Sequence, residues 1–292
     1  MSPSRVAYVE LAVPDLERSV DHAIGILGLR EVERIGGSVY LTCNERHHEL
    51  VLTASDAPSL AAVALEVADA HELDGLTDAL SDAGLAPETH DVPGVAEARR
   101  FVAPGGLTVH LVRGMAADEP ARFASPAPTP RKFGHATLTS DVPDELEAVL
   151  TGPLGFRLSD TVPGVLSWYR CSADHHGIAI APAPVSGLHH YAFELDGWAS
   201  MQSFADHLTL NDVLLIWGPG RHGPGRNLFA YHLDPAGGVV EVLADLQRIE
   251  SEETYVPRTW PMTPQTLNQW GPPPPEDFLE HAMPCRPSVP AG

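Results

Sequence analysis

The sequence CNERHH at positions 43–48 returns as CSADHH at positions 171–176, 128 positions later. Three further matches keep nearly the same spacing and the same order along the chain. They are Leu27-Gly28-Leu29-Arg30 with Leu154-Gly155-Phe156-Arg157, Leu60–Val67 with Leu188–Leu195, and Pro104-Gly105-Gly106 with Pro235-Ala236-Gly237. Because chance rarely produces ordered matches at a constant spacing, we expect a tandem duplication of a unit of roughly 115 residues.

Each unit shows the same succession of hydrophobic periods. In the first unit a β-rich run, Val6–Val13, precedes a stretch with helical spacing, Leu16–Leu27, and short runs broken by turn residues follow. A second round of this order begins near Leu60, and the second unit repeats both rounds from Phe133 and Leu188. The pattern predicts an α+β fold of four βαβββ modules in two tandem domains, each with a sheet curled around a cavity.

Composition excludes several classes of function. The chain has 292 residues with 18 Lys and Arg against 39 Asp and Glu, a net charge of −21. Nucleic acids and anionic membrane surfaces attract basic faces, so we expect neither as a partner. No apolar run approaches the ~20 residues of a spanning helix, and the N-terminus lacks the apolar core of a signal peptide. Three cysteines are too few for a disulfide framework, which predicts a cytoplasmic protein.

A set of two histidines and one carboxylate with metal-ligand character occurs in the second unit and not at the aligned positions of the first. His135, His190 and Glu241 lie on three separate predicted strands. The aligned residues of the first unit are Tyr8, Ala62 and His110. Two histidines and one carboxylate form the facial triad of non-haem Fe(II) oxygen chemistry, with positions left open for substrate and O₂. Each residue alone has a structural alternative, so the prediction depends on the set.

Domain boundaries follow from the duplication and from composition. We expect a metal-free domain at 1–115, a linker at 116–132, a metal-binding domain at 133–246 and a tail at 247–292. The linker is rich in proline and small residues, which disfavour strands and long helices. The tail contains four consecutive prolines at 272–275, typical of extended polyproline geometry, and is expected to pack near the active site.

The second unit resembles a known family. In that family a histidine is followed by an apolar residue and tyrosine, then Asp-Pro-x-Gly and a glutamate. Here His222 precedes Ala230-Tyr231, then Asp234-Pro235-Ala236-Gly237 and Glu241. Ala230 is smaller than the family prefers. The chain thus resembles the type I extradiol catechol dioxygenases of the vicinal oxygen chelate superfamily, and the segment Trp217–His222 is similar to the homoprotocatechuate branch.

The resemblance implies a set of site residues. His135, His190 and Glu241 match the ligands of Fe(II), although the same ligand set also suits Mn(II). Three further matches are catalytic: His176 lies beside the oxygen site, and His222 and Tyr231 contact the bound catecholate. Either of the last two could accept the substrate proton. The remaining candidates are substrate-pocket residues, namely Trp168, Thr137 and Arg226.

The implied reaction is cleavage of an aromatic ring beside its diol, with O₂ as co-substrate. The product would be a muconic semialdehyde or an analogue, formed in aromatic compound catabolism by a cytoplasmic homo-oligomer. In the homoprotocatechuate branch, arginines shortly before a Trp-Gly pair bind the substrate carboxylate, but positions 264–271 contain no arginine. We therefore expect an uncharged, apolar or aromatic catechol, unless Arg226 or Arg258 substitutes.

Two other classes of protein remain as alternatives. A glyoxalase-type isomerase or lyase would keep the fold but usually binds Zn or Ni through four ligands drawn from both modules. A small-molecule-binding member of the superfamily would have no enzymatic activity. Neither alternative uses His176, His222 and Tyr231 together with the triad.

Overall fold

The computed structural model describes residues 1–117 and 127–286. Most of the expected linker, 118–126, lies outside the described residues, as does the end of the tail, 287–292.

The first half contains two βαβββ modules in succession. Their elements are β1 (Arg5–Val13), α1 (Leu16–Gly25), β2 (Arg30–Ile35), β3 (Ser38–Thr42), β4 (Leu50–Ala54), β5 (Ser59–Val67), α2 (Ala70–Asp82), β6 (Glu88–His90), β7 (Val95–Ala103) and β8 (Leu107–Met115). Both helices begin at an aspartate, Asp15 and Asp69, whose side chain accepts a hydrogen bond from a backbone N–H of the first turn.

The second half repeats this order. Its elements are β9 (Lys132–Ser140), α3 (Pro143–Thr151), β10 (Arg157–Val162), β11 (Leu166–Arg170), β12 (Ile178–Pro182), β13 (Gly187–Glu194), α4 (Trp198–Leu210), β14 (Leu215–Arg221), β15 (Leu228–Leu233) and β16 (Val239–Ala244). The predicted α+β architecture of four βαβββ modules is therefore confirmed. Helix α3 begins at Pro143, because proline is tolerated in the first turn of a helix.

Each half forms one sheet with the same connectivity. The first sheet has the order β2-β3-β4-β1-β5-β8-β7-β6, and the second has β14-β15-β16-β13-β9-β12-β11-β10. The opening strands of the two modules pair antiparallel at the centre, and each also pairs in parallel with the last strand of its own module. Residues of β9, β13 and β16 are therefore brought together at the middle of the second sheet.

The tail extends this second sheet. A short strand, β17 (Arg258–Thr259), pairs with β10, helix α5 (Pro264–Leu267) follows, and β18 (Met283–Pro284) pairs with β13. The tail also reaches the first half, where the Arg286 N–H donates to the Leu60 carbonyl. Among the described residues, none of the helices has the length and apolar character needed to span a bilayer.

One apolar core joins the helices to both sheets. It includes Val20 and Leu76 from the first half and Leu146 and Phe204 from the second, all buried. The helices thus cover one face of each sheet, as sheets with one apolar face require. The opposite face of the first sheet is filled by Tyr8 and its neighbours, whereas that of the second sheet encloses a cavity.

Candidate metal centre and substrate cavity

Strand register brings the predicted triad together. Ala192 on β13 pairs with His135 on β9 and with Glu241 on β16. Residues opposite one another in a sheet point to the same face, and residues two apart along a strand share that face. His190, two positions before Ala192, therefore points to the same side as His135 and Glu241.

The three donor atoms form a nearly equilateral triangle. Nε2 of His135 lies 3.0 Å from Oε2 of Glu241, Nε2 of His190 lies 3.2 Å from the same oxygen, and the two Nε2 atoms are 3.2 Å apart. With metal–ligand bonds of about 2.1 Å, two ligands at a right angle lie about 3.0 Å apart, and two at a tetrahedral angle about 3.4 Å. The triangle fits one face of an octahedron.

The chemistry of the three groups also fits a divalent metal. All three are buried, and Glu241 Oε2 and His135 Nδ1 make no hydrogen bond within the described residues. Burial lowers the pKa of His190 to about 3, which keeps its imidazole neutral. Burial alone would raise the pKa of Glu241, but His135 and His190 hold it well below its usual range. A buried carboxylate is costly unless a cation lies beside it. The triad could therefore hold a metal ion.

A second pair of residues adjoins the triad. The Tyr231 hydroxyl lies 3.0 Å from Nε2 of His222, and His222 Nδ1 contacts the Leu267 carbonyl. Because a carbonyl only accepts, His222 carries its proton on Nδ1, and its Nε2 accepts from Tyr231. Burial raises the pKa of Tyr231 well above its ordinary value and lowers the pKa of His222. Both groups are therefore neutral at neutral pH.

The other predicted residues divide into those that reach the cavity and one that does not. His176, Trp168 and Thr137 line it, and the His176 ring packs 4.4 Å from the His135 ring, centroid to centroid. Burial lowers the pKa of His176 well below its ordinary value. Arg226 is absent from the wall that the described residues form, and its side chain is exposed. Its backbone φ of +56° lies in the left-handed region.

The cavity has a volume of about 280 Å³ and a largely apolar wall. Its lining includes residues that the sequence reasoning missed, many of them in the tail: Val165, Leu166, Trp217, Asn227, Met262, Leu267, Pro274, Pro275, Glu276, Phe278 and Leu279. Asn227 donates to Glu241 Oε1 at 3.0 Å, and Trp217 stacks on Tyr231. Among the described lining residues none is Lys or Arg, whereas Glu276 is present.

Known proteins share this sequence and this fold. A model of the Glyoxalase/Bleomycin resistance protein/Dioxygenase superfamily matches residues 5–111. The chain is 28% identical over 260 residues to the metapyrocatechase of Pseudomonas sp. (strain CF600), covering 82% of this chain and 85% of the relative. It is 25% identical over 280 residues to the iron-dependent extradiol dioxygenase of Rhodococcus jostii (strain RHA1), covering 86% and 92%.

Solved structures give the same fold. The Mn(II)-bound glyoxalase from Novosphingobium aromaticivorans superimposes with a TM-score of 0.86 at 26% identity, covering 92% of this chain and 91% of that one. The homoprotocatechuate 2,3-dioxygenase from Arthrobacter globiformis superimposes with a TM-score of 0.87 at 23% identity, covering 97% and 92%, and supports the fold alone. Residues 5–111 thus match a domain of the glyoxalase and dioxygenase superfamily, also called vicinal oxygen chelate, and relatives similar over most of the chain include type I extradiol dioxygenases. The predicted resemblance is confirmed.

Proposed function

We propose that this protein is an extradiol dioxygenase that cleaves an apolar catechol beside its diol, with Fe(II) held by His135, His190 and Glu241. The observation that carries the proposal is the octahedral face formed by these three buried donors at one end of an apolar cavity. When bound, the metal would lower the pKa of the catechol hydroxyls and provide one site for both catecholate and O₂. Mn(II) would satisfy the same donors.

The His222–Tyr231 pair provides a route for the substrate proton. A catechol must lose a proton to bind as an anion, and a neutral imidazole nitrogen is a suitable acceptor near neutral pH. Nε2 of His222 has this character because Nδ1 is held by the Leu267 carbonyl. Tyr231 donates to that Nε2 and orients it. We assign His222 as the final acceptor and Tyr231 as the relay: Tyr231 gives its proton to Nε2 of His222 and takes the catechol proton in its place, so that its hydroxyl then donates to the catecholate oxygen.

His176 is placed to serve the oxygen side of the site. Its ring packs against the His135 ring and lines the same cavity as Trp168 and Thr137. A neutral imidazole there can exchange a proton with reduced oxygen or with the opening ring. Replacing His176 with Phe should keep metal and catechol binding but lower kcat on the order of 10²–10⁴-fold.

The wall favours a catechol without an acidic side chain. A carboxylate placed in this cavity would meet apolar side chains and Glu276, with no cationic partner among the described lining residues. Burying such a charge without a partner costs several kcal/mol. The aromatic surfaces of Trp168, Trp217 and Phe278 instead suit a planar or apolar substituent.

Similarity to the Mn(II)-bound glyoxalase favours a second candidate, a metal-dependent isomerase or lyase. That reaction proceeds without O₂ and gives no obvious use to the His222–Tyr231 pair. The anaerobic assay below separates the two candidates. The cytoplasmic location, the homo-oligomeric state and the domain boundaries at 1–115, 116–132, 133–246 and 247–292 stay predictions.

The proposal is tested by loading the full chain anaerobically with Fe(II) and then adding air and a panel of catechols. We expect yellow ring-opened products that form only when both O₂ and metal are present. Product formation in the absence of O₂, or no ring opening with any 3- or 4-substituted catechol, would reject the dioxygenase.

A further inference from the structure

A chain of three buried polar side chains ends at His176. Oδ2 of Asp160 lies 3.2 Å from Nε2 of His175, and Nδ1 of His175 lies 3.1 Å from Nδ1 of His176. All three residues are buried. His175 Nε2 makes no well-aligned hydrogen bond within the described residues, and the Asp160 carboxylate at 3.2 Å is the acceptor that faces it.

The surroundings of Asp160 fix the direction of these hydrogen bonds. Its carboxylate accepts from three donors of the tail: the Tyr255 hydroxyl at 3.2 Å, the Arg258 backbone N–H at 2.9 Å and the Trp260 indole N–H at 2.8 Å. A carboxylate that meets only donors remains an ionised acceptor. His175 therefore carries its proton on Nε2, facing Asp160, and its Nδ1 is a bare acceptor.

The position of the proton on His175 also determines the tautomer of the His176 ring. Two imidazole Nδ1 atoms at 3.1 Å share one proton, because two protons would repel and none would leave two lone pairs in contact. Since His175 Nδ1 accepts, His176 Nδ1 donates. The ring nitrogen that His176 leaves for the cavity side is then Nε2, without a proton.

We propose that Asp160 and His175 are positioning residues that fix His176 as its Nδ1–H tautomer and so present Nε2 to the cavity as a proton acceptor. The tautomer assignment stands without the proposed function, and only its catalytic consequence rests on it. His176 would thus begin the reaction cycle by receiving a proton and would donate it afterwards. The docked tail, through Tyr255, Arg258 and Trp260, is part of this arrangement.

The metal-free half contains an equivalent series of side chains, Glu33, His47 and His48, and supplies a matched control. Glu33 lies on β2 at the position that Asp160 occupies on β10, each directly after a register shift with the neighbouring strand. Oε1 of Glu33 is 2.9 Å from Nε2 of His47, and Nδ1 of His47 is 2.9 Å from Nδ1 of His48. This chain ends against the Tyr8 ring, 4.4 Å away between centroids, and not at a substrate cavity.

Nitrogen NMR of the imidazole rings tests the proposal directly. In the ¹⁵N-labelled, metal-free full chain, long-range ¹H–¹⁵N correlations distinguish an Nδ1–H from an Nε2–H ring, and His176→Phe identifies the His176 signal. We expect wild-type His176 as the Nδ1–H tautomer and His175 as the Nε2–H tautomer. A wild-type His176 that carries its proton on Nε2 would overturn the proposal without any variant of Asp160.

Substitution of Asp160 tests which residue sets the tautomer. In Asp160→Asn, made in a Trp260→Phe background so that no indole N–H meets the Oδ2 position, the amide oxygen keeps accepting from the Arg258 N–H and Tyr255, and the amide NH₂ faces His175. His175 then shifts its proton to Nδ1, and His176 is expected to become the Nε2–H tautomer. An unchanged His176 tautomer in a folded Asp160→Asn protein would show that Asp160 does not set it, and Asp160→Glu should restore the wild-type signals.

Kinetics of the Fe(II)-loaded variants separate positioning from stability. Asp160→Asn should lower kcat on the order of 10²-fold while KM for the catechol changes less than about threefold. Glu33→Gln should leave both constants within about twofold of wild type. Equal losses of kcat in the two variants would show that the contacts from Asp160 through His175 to His176 have a structural role only. If the wild type cleaves no catechol, the proposed function fails, whereas the NMR result still decides the tautomer.

Discussion

Two buried tyrosines, one on β15 and one on β13, allow stability and catalysis to be separated. Tyr231 bonds to the neutral His222 ring at 3.0 Å, and Tyr191 donates to the Asp234 carboxylate at 3.2 Å. Both side chains are buried, and burial raises the pKa of each well above its ordinary value. Removal of one hydroxyl by Tyr→Phe keeps the ring, so each variant tests a single hydrogen bond.

The two bonds differ in strength because their acceptors differ in charge. A hydrogen bond between neutral groups contributes about 0.5–1.5 kcal/mol, and one to a charged group about 1.5–3 kcal/mol. Burial raises the pKa of Asp234 to about 6, so its carboxylate is ionised at pH 8. Tyr191→Phe should therefore lower the free energy of unfolding by about 2 kcal/mol, and Tyr231→Phe by about 1 kcal/mol.

Activity should change in the opposite order. Tyr231 lines the cavity and positions His222, so Tyr231→Phe should lower kcat on the order of 10²-fold. Tyr191 follows His190 directly and therefore points to the other face of β13, so Tyr191→Phe should leave kcat within about twofold. Urea unfolding at pH 8 and steady-state ring cleavage measure the two effects. Activity losses that follow the stability losses in both variants would refute the assigned role of Tyr231.

Three further predictions follow from the same structure. His190→Ala should lose bound iron and ring cleavage while remaining folded, whereas His48→Ala, at the equivalent of His176 in the metal-free half, should keep both. Metal analysis showing full iron occupancy in His190→Ala would reject the triad. An apolar catechol should have a higher kcat/KM than its carboxylated analogue at fixed ionic strength; Glu276→Gln should narrow this difference in kcat/KM, and Arg226→Ala should leave it unchanged because the Arg226 side chain is exposed. If the enzyme instead prefers the carboxylated catechol, and Arg226→Ala removes that preference, the prediction is wrong. Burial lowers the pKa of His22 to about 4, so up to about 3 kcal/mol of folding stability present at neutral pH is lost as pH falls from about 6.5 towards 4 and His22 becomes protonated. His22→Gln should flatten the curve of unfolding free energy against pH in that range, and an unchanged curve would contradict the assignment.

The architecture and the triad could be predicted because both depend on local periods and on the duplication. Alternation along β9, β13 and β16 fixes the face of each side chain, and the connectivity of the modules places these strands together. His135, His190 and Glu241 then converge by register alone.

The cavity wall could not be predicted in the same way. Pro274, Pro275 and Phe278 reach it from a tail whose extended geometry leaves no periodic signal in the sequence. For Arg226, its distance from His222 along the chain suggested a place in the wall, but its side chain is exposed and absent from the wall that the described residues form. The Asp160–His175 contact joins residues 15 positions apart on different elements, and the recurring pair His47-His48 was its only trace in the sequence.

The central claim is that the Fe(II)-loaded protein inserts oxygen from O₂ into a catechol ring. Its most direct test is to supply ¹⁸O₂ and an apolar catechol, follow O₂ uptake with an electrode, and analyse the product at once by mass spectrometry. The account predicts one O₂ consumed per catechol, label in the ring-opened product and no free hydrogen peroxide. Catechol loss without O₂ uptake, or uptake that ends as peroxide with an unlabelled product, would contradict it.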